Sequence, residues 1–596
     1  MATSDSRHPD LHGLDFDTGA LRAKYRHERD IRLRPNGQDQ YRPAGAAFVA
    51  DPFVEPGFAR AAIAETREVL VVGAGFSGLL MSAHLHKQGV SDVRIVDKAA
   101  DFGGTWYWNR YPGAACDIES YIYMPLLEEV DDIPDQKYVG QPHLFEHCRA
   151  IARRYDLYPR ALFQTSVTRL QWLDAEGLWL ATTDRQDALK ARFVCLAAGA
   201  VHQPKLPGLP GFETFGGRMF HTARWDYDYT GGAFDQPLDR LGDKVVGIVG
   251  AGATAVQCIP PLARSAKRLY VFQRTPSTVD ARNQQQTDPA WAAGLTAGWQ
   301  ARRAHNFDVI VSGGHAEEDL VQDGWTEIFR RTEAAVAEAG PAGRELADFA
   351  NMEHIRRRID QLVSDPATAE ALKPYYNQMC KRPCFHDGYL ETFNRPNVTL
   401  VDTHGRGVEA MTRRGVVAEG REYPLDCLIF ATGFEMNTSY AGRVGFEIYG
   451  RSGLSLSQKW RDGVSTLHGF HVHGFPNCFI LTNAQSAGAA NLTYVLDLVS
   501  QHLSDVIRRC RDEDIAQIEV TAEAEAAWVD EILGYAEARR AFNSECTPGY
   551  VNSEGDTSIL AVRNNFYGGG SQKFLTRLAE WRADGSMPGM SKMRVG

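Results

Sequence analysis

The chain has 596 residues, which predicts about three to five domain-sized units and a core large enough to need no disulfide or structural metal. Hydrophobic residues at 44% and charged residues at 23% exclude wholesale disorder. The balance of 64 basic and 75 acidic residues gives a net charge of −11, so no basic excess draws the protein to phosphate backbones, and nucleic acid is excluded as a partner.

The ten cysteines are scattered without a CxxC pair, and the nearest two, Cys380 and Cys384, lack the further ligands of a zinc site. We expect no metal, and reduced thiols in a cytoplasmic protein. The charged N-terminus lacks the apolar stretch of a secretory signal, and the most apolar run, residues 69–85, is too short and Gly-rich to span a bilayer.

Residues 1–66 are polar and uneven and read as an extension wrapped on a core, with a short basic helix over 21–34 stopped at Pro35-Asn36-Gly37. The pattern changes at residue 68. The run 68–72 lacks alternation, as a strand buried on both faces does. Gly73, Gly75 and Gly78 follow, then a helix over 79–88 stopped by Gly89, and a second strand over 92–96 ending at Asp97. Gly73 permits the tight turn, Gly75 the approach of a pyrophosphate, and Gly78 close helix–strand packing. Asp97 stands about 20 residues on, where a carboxylate accepts ribose hydroxyls. A lone GxGxxG is weak evidence; here strand, helix and acid fall in place.

The unit recurs. A strand over 244–249 precedes Gly250, Gly252, Ala253, Thr254 and Ala255, then a helix over 256–265 that Pro260-Pro261 should bend, and a strand over 268–272. Here the position of the third glycine is Ala255, and the second strand leads to Arg274 and Thr275 instead of an acid. A guanidinium there pairs with a 2′-phosphate, which favours NADPH over NADH. Residues 285–378 read as a helical insertion, apolar strands over 193–196 and 427–430 each end in a Gly turn, and the chain closes in a loose Gly/Met/Ser tail after Arg582.

Two different dinucleotide sites imply electron flow from NADPH through a bound FAD. A dithiol acceptor is disfavoured, because Cys116 is the only cysteine near the first site. O₂ is then the simplest acceptor.

The segment Phe215, Gly217, His221, Trp225 and Asp226 fits FxGxxxHxxxW(P/D), and Gly103, Gly104, Trp106, Tyr111, Pro112, Gly113 and Asp117 fit GGxWxxxxYPGxxxD. In both motifs, and over about residues 68–570, the chain resembles the type I Baeyer–Villiger monooxygenases. The resemblance implies a peroxide held on the flavin that attacks a ketone and leaves an ester or lactone. That chemistry needs a fixed cation beside the developing oxyanion, away from water. By resemblance the cation is Arg382, oriented by Asp117, with Lys381 as a 2′-phosphate contact. FAD contacts are implied at Phe76, Ser77, Thr105, Trp106, Tyr123 and Val167 as well as at the first Gly turn. His221 is implied as a hinge or linker residue.

The chain departs from the small-ring members of the family in its C-terminal mobile loop, where Cys546 or Thr547 stands in place of a Trp near the NADP ribose. This loop and the N-terminal extension resemble the subgroup acting on steroids, large rings and pentalenolactone-type sesquiterpenoids. Substrate-pocket residues are expected around 485–494 and in the loop. The expected fold is α/β, with two doubly wound dinucleotide-binding domains: an extension over 1–66, an FAD domain over 67–215 resumed over 425–596, and an NADP domain over 216–424. An N- or S-oxygenating flavin monooxygenase and a non-catalytic FAD/NADP sensor are the alternatives. Oligomeric state stays open.

Overall fold

The computed structural model describes residues 17–436, 439–481 and 484–594. Most of the charged N-terminal stretch that argues against a signal segment, residues 1–16, lies outside them. No helix among the described residues is long and apolar enough to cross a membrane.

The first sheet centres on Ala64–Val72, which pairs in parallel with Val93–Val96 on one side and Ala188–Leu196 on the other. Val69, Leu70 and Val71 are almost wholly buried, as the unalternating run requires. Ala161–Leu162 extends the sheet beyond Val93–Val96. On the far side Val167–Leu173, Leu178–Thr183 and Ala188–Leu196 form an antiparallel meander. Cys478–Ile480 returns from late in the chain to pair with Ala188–Leu196. The helix Phe76–Lys87 starts directly at the Gly turn and packs between this sheet and the long helix Leu492–Asp512. That position buries it nearly all round, so its sequence shows little amphipathic pattern.

The second sheet is all parallel, in the order Val398–Asp402, Arg268–Gln273, Val245–Val249, Cys427–Phe430, Arg218–His221. Cys427–Phe430 therefore belongs to the coenzyme sheet and not, as the division at residue 425 had it, to the resumed FAD domain. Its apolar run has no feature that names its sheet; only the register Val246↔Cys427 does.

Helix Ala253–Ser265 runs on through Pro260 and Pro261. Pro261 has no N–H for the carbonyl of Gln257. A Cβ on Gly113 would stand 2.6 Å from that same oxygen, so the Tyr111-Pro112-Gly113 turn packs where the helix is left open, and only glycine fits, at φ +80°.

The insertion is helical as expected, with Trp299–Val311, Gly324–Ala339, Gly343–Leu362 and Pro366–Leu372 as its main elements. The N-terminal helix is Thr18–Asp30, shorter than 21–34 at its end and capped by the Asp17 carboxylate, which accepts from the amides of Gly19 and Ala20. The described part of the extension touches distant segments: Arg22 pairs with Glu345 of the insertion, Arg29 donates to the Ser544 carbonyl, and Arg32 to the Arg274 carbonyl. The tail is not loose. Helix Ser571–Asp584 runs past Arg582, and Met590–Arg594 pairs antiparallel with Ile515–Val520.

Candidate active site

The first Gly turn is shaped by contacts that exclude side chains. Gly73 sits at φ +116°, and a Cβ there would lie 2.4 Å from the Ala197 carbonyl oxygen. A Cβ on Gly78 would lie 1.9 Å from the Gly73 oxygen. Gly104, at φ +52°, brings the second motif against the turn, with a Cβ only 2.5 Å from the Gly75 Cα. Gly75 caps helix Phe76–Lys87 with no side chain in the way, so the amides at Phe76 and Ser77 head an open helix N-terminus, the place for a pyrophosphate. These features fit FAD.

Asp97 ends the second strand as expected, but its carboxylate is already engaged. It accepts from the Ala74 amide at 2.6 Å and the Ala99 amide at 2.7 Å, and burial raises its pKa despite them. The Thr165 amide donates to the Asp97 carbonyl, two residues before Val167, the first residue of the next long strand. Thr105 opens a single helical turn, and Trp106 donates from Nε1 to the Tyr123 hydroxyl at 3.1 Å with the rings edge to face.

Arg382 and Asp117 are brought together from the two ends of the site. Arg382 Nη1 donates to Asp117 Oδ2 at 2.5 Å, and the guanidinium lies 5.2 Å from the Trp325 ring centre. Burial would lower the arginine's pKa; Asp117 more than offsets this, so its pKa is raised and it stays a cation. Asp117 Oδ1 is buried without a hydrogen-bond partner among the described residues. The thiols of Cys116 and Cys384 beside the pair are pushed up to about 12, mainly by burial, and stay protonated.

In the coenzyme turn Gly250 is at φ +127°, with the Ala431 carbonyl 2.3 Å from a Cβ. Gly252 has nothing within 4 Å of a Cβ, and it caps helix Ala253–Ser265 without a side chain. That leaves open space at the amides of Ala253 and Thr254, while Ala255 is fully buried against the sheet. Arg274 leaves the strand end and donates to Gln40 Oε1 at 2.9 Å and Glu554 Oε2 at 3.2 Å. Thr275 Oγ1 is buried and unpartnered among the described residues, a donor free for a ligand oxygen. Lys381 Nζ donates to the Pro548 carbonyl at 2.9 Å, and burial lowers its pKa to about 8.

Cys546 is joined to Cys380 by a disulfide, which corrects the expectation of reduced thiols throughout. The partners are 166 residues apart, so no spacing rule signals the pair. The other eight cysteines are free and buried. The bond ties the start of the 546–550 loop to the residue preceding Lys381 and Arg382. His221 and Trp225 are fully buried; His221 Nδ1 accepts from the Ala223 amide, and burial lowers its pKa to about 3, so it is neutral and structural in its surroundings.

With this geometry in view, residues 71–133 match the NAD(P)-binding Rossmann-like domain family. The chain is 53% identical to neopentalenolactone D synthase of Streptomyces avermitilis over 95% of its length and 98% of that protein's. It is 49% identical to Baeyer–Villiger monooxygenase ATR8 of Stachybotrys chlorohalonatus, over 98% of this chain and 96% of that one. The polycyclic ketone monooxygenase of Thermothelomyces thermophila superposes with a TM-score of 0.90 at 40% identity, covering 97% of this chain and 99% of that one. The chain belongs to the Baeyer–Villiger monooxygenases. It is an enzyme that uses FAD and NADP to insert one oxygen beside a ketone carbonyl.

Sequence reasoning about this monooxygenase missed two side chains. Gln257 ties the coenzyme helix to the Tyr111–Asp117 loop through Tyr111 and Ala115. A polar residue early in an apolar helix was the only available signal. Glu554 enters the coenzyme corner from far along the chain, where no motif marks it.

Proposed function

We propose that this monooxygenase converts a bulky polycyclic ketone to a lactone or ester, with Arg382 as the catalytic cation and Asp117 as its positioning partner. The observation that carries this reading is the Arg382–Asp117 bond at 2.5 Å, with the Asp117 side chain buried and the Arg382 side chain a third exposed. Bound FAD supplies electrons, taken from NADPH, that activate O₂. The chain's own contribution is electrostatic. Arg382 presents a fixed positive charge to the oxygen that becomes negative when the carbonyl is attacked, and its raised pKa keeps that charge throughout. Asp117 fixes the guanidinium through one oxygen and keeps Oδ1 free to accept a further hydrogen bond. The Tyr123 hydroxyl, which accepts from Trp106 Nε1, lies within electrostatic reach of Arg382.

The bulky-ketone assignment rests on the relatives named for lactone and polycyclic ketone chemistry. Arg274, Thr275 and Lys381 are assigned to the coenzyme 2′-phosphate, and Gly73, Gly75, Gly78, Asp97, Thr105 and Val167 to FAD.

Aerobic incubation of the FAD-loaded enzyme with NADPH and polycyclic, steroid and macrocyclic ketones tests the reading. Mass detection should find a product one oxygen heavier, as ester or lactone. Oxidation of thioethers alone, with every ketone returned unchanged, would overturn it.

A further inference from the structure

The corner assigned to the 2′-phosphate already holds an anion. The Glu554 side chain is only 4% exposed, and its carboxylate takes the Arg274 guanidinium through Oε2 and the Tyr41 hydroxyl, at 3.0 Å, through Oε1. Lys205 Nζ stands 4.0 Å away, and Lys381 acts on the same carboxylate. Burial alone would raise the acid's pKa; these cations overcome it and hold the pKa below the ordinary range, so Glu554 is charged. The cations that a strand-end Arg site offers to a phosphate are thus taken by a side chain of the protein itself.

The backbone that delivers Glu554 is held in an uncommon form. Ser553 and Glu554 are consecutive non-glycine residues in the left-handed region, at φ +52° and +61°. Such residues occupy it at a cost and stay only where contacts hold them. Upstream the loop is fixed: Cys546 is bonded to Cys380, and Asn552 binds the Gly549 and Gly555 amides and the carbonyls of Cys546 and Thr547. Glu554 follows directly on this fixed part: its amide donates to the Gly549 carbonyl at 2.8 Å, and Gly555 after it stands at φ +91°.

We propose that Glu554 is an internal stand-in for the coenzyme 2′-phosphate, filling the Arg274–Lys381 corner in the free enzyme and giving it up when a 2′-phosphorylated nucleotide binds. The inference rests on the 2′-phosphate assignment of that corner. With Glu554 in place the corner presents an acid, the group that accepts a ribose 2′-hydroxyl in NAD-type sites. With Glu554 displaced it presents free cations to a phosphate. Glu554 thus weakens NADP binding and narrows the preference over NAD.

Calorimetric titration of the FAD-loaded enzyme with 2′-AMP, 5′-AMP, NADP⁺ and NAD⁺ tests this without turnover. Glu554→Gln should tighten 2′-AMP and NADP⁺ by about tenfold and leave NAD⁺ unchanged or weaker. Tyr41→Phe, which removes one bond to Glu554 and no charge, should shift NADP⁺ the same way by a smaller factor and guards against misfolding of the first variant. Both gains should shrink as salt rises. Weaker or unchanged 2′-AMP binding in Glu554→Gln would overturn the proposal and leave Glu554 as a brace for Arg274. If neither the wild type nor Glu554→Gln prefers 2′-AMP to 5′-AMP, the assignment of the corner fails, and the proposal fails with it.

Discussion

The side-chain amide of Gln257 closes a ring with the backbone of Ala115. Its Nε2 donates to the Ala115 carbonyl at 2.8 Å, while Oε1 accepts from the Ala115 amide at 3.4 Å and from the Tyr111 hydroxyl at 2.8 Å. One residue of the coenzyme helix thus sets the loop that ends at Asp117, and through Asp117 the orientation of Arg382.

Replacing Gln257 with Leu strands the buried Tyr111 hydroxyl and the Ala115 backbone, at a cost of about 1–3 kcal/mol. Thermal unfolding should drop accordingly. The displaced loop should also misplace Arg382, so that NADPH oxidation releases more hydrogen peroxide per ester formed. Unchanged coupling in a folded variant would count against the link.

Arg382→Ala should retain flavin bleaching by NADPH under anaerobic conditions and lose ester formation by a factor of 100 or more, on the order expected for one preorganised electrostatic group. Asp117→Asn keeps a neutral partner for the guanidinium and should fall between that variant and the wild type. Ester formation at the wild-type rate by Arg382→Ala would refute the assignment.

Lys381 carries its charge below about pH 8 and loses it above, since burial lowers its pKa to that value. If it contacts the 2′-phosphate, KM for NADPH should climb as pH passes 8, while kcat changes less. Lys381→Arg keeps its charge at any accessible pH and should flatten the climb. Arg382 shifts upward, so it imposes no alkaline limit of its own.

Thiol titration of the denatured protein should count eight free thiols without reductant and ten after reduction. Closing a loop of 166 residues stabilises by about 5 kcal/mol in the chain-entropy account. Cys546→Ser should lose that stability in denaturant.

The fold was legible wherever local pattern and burial agree. The runs at 68–72 and 245–249 are apolar without alternation because both faces of each strand are covered, and each leads to a glycine turn that only glycine can make. The helical insertion showed through its Ala and charge content. Legibility failed where pairing depends on distant partners. Met590–Arg594 has no strand pattern of its own and is a strand because Ile515–Val520 offers it an edge. Cys427–Phe430 could have joined either sheet. In the site, Arg274, Lys381, Arg382 and Asp117 could be named in advance, and resemblance already paired the last two, but the bond that joins them across 265 positions is visible only in three dimensions. Asp97 follows the second strand, and its two amide partners are visible only in three dimensions.

Arg274 reaches from the coenzyme sheet to Gln40 in the N-terminal extension and to Glu554 near the other end of the chain. With the proposed 2′-phosphate role of Arg274, nucleotide preference does not travel with the Rossmann unit alone. A chimaera that exchanges only the central domain would separate the guanidinium from two of its three sequence contexts, and redesign toward the cheaper reductant NADH has to treat all three segments as one cassette.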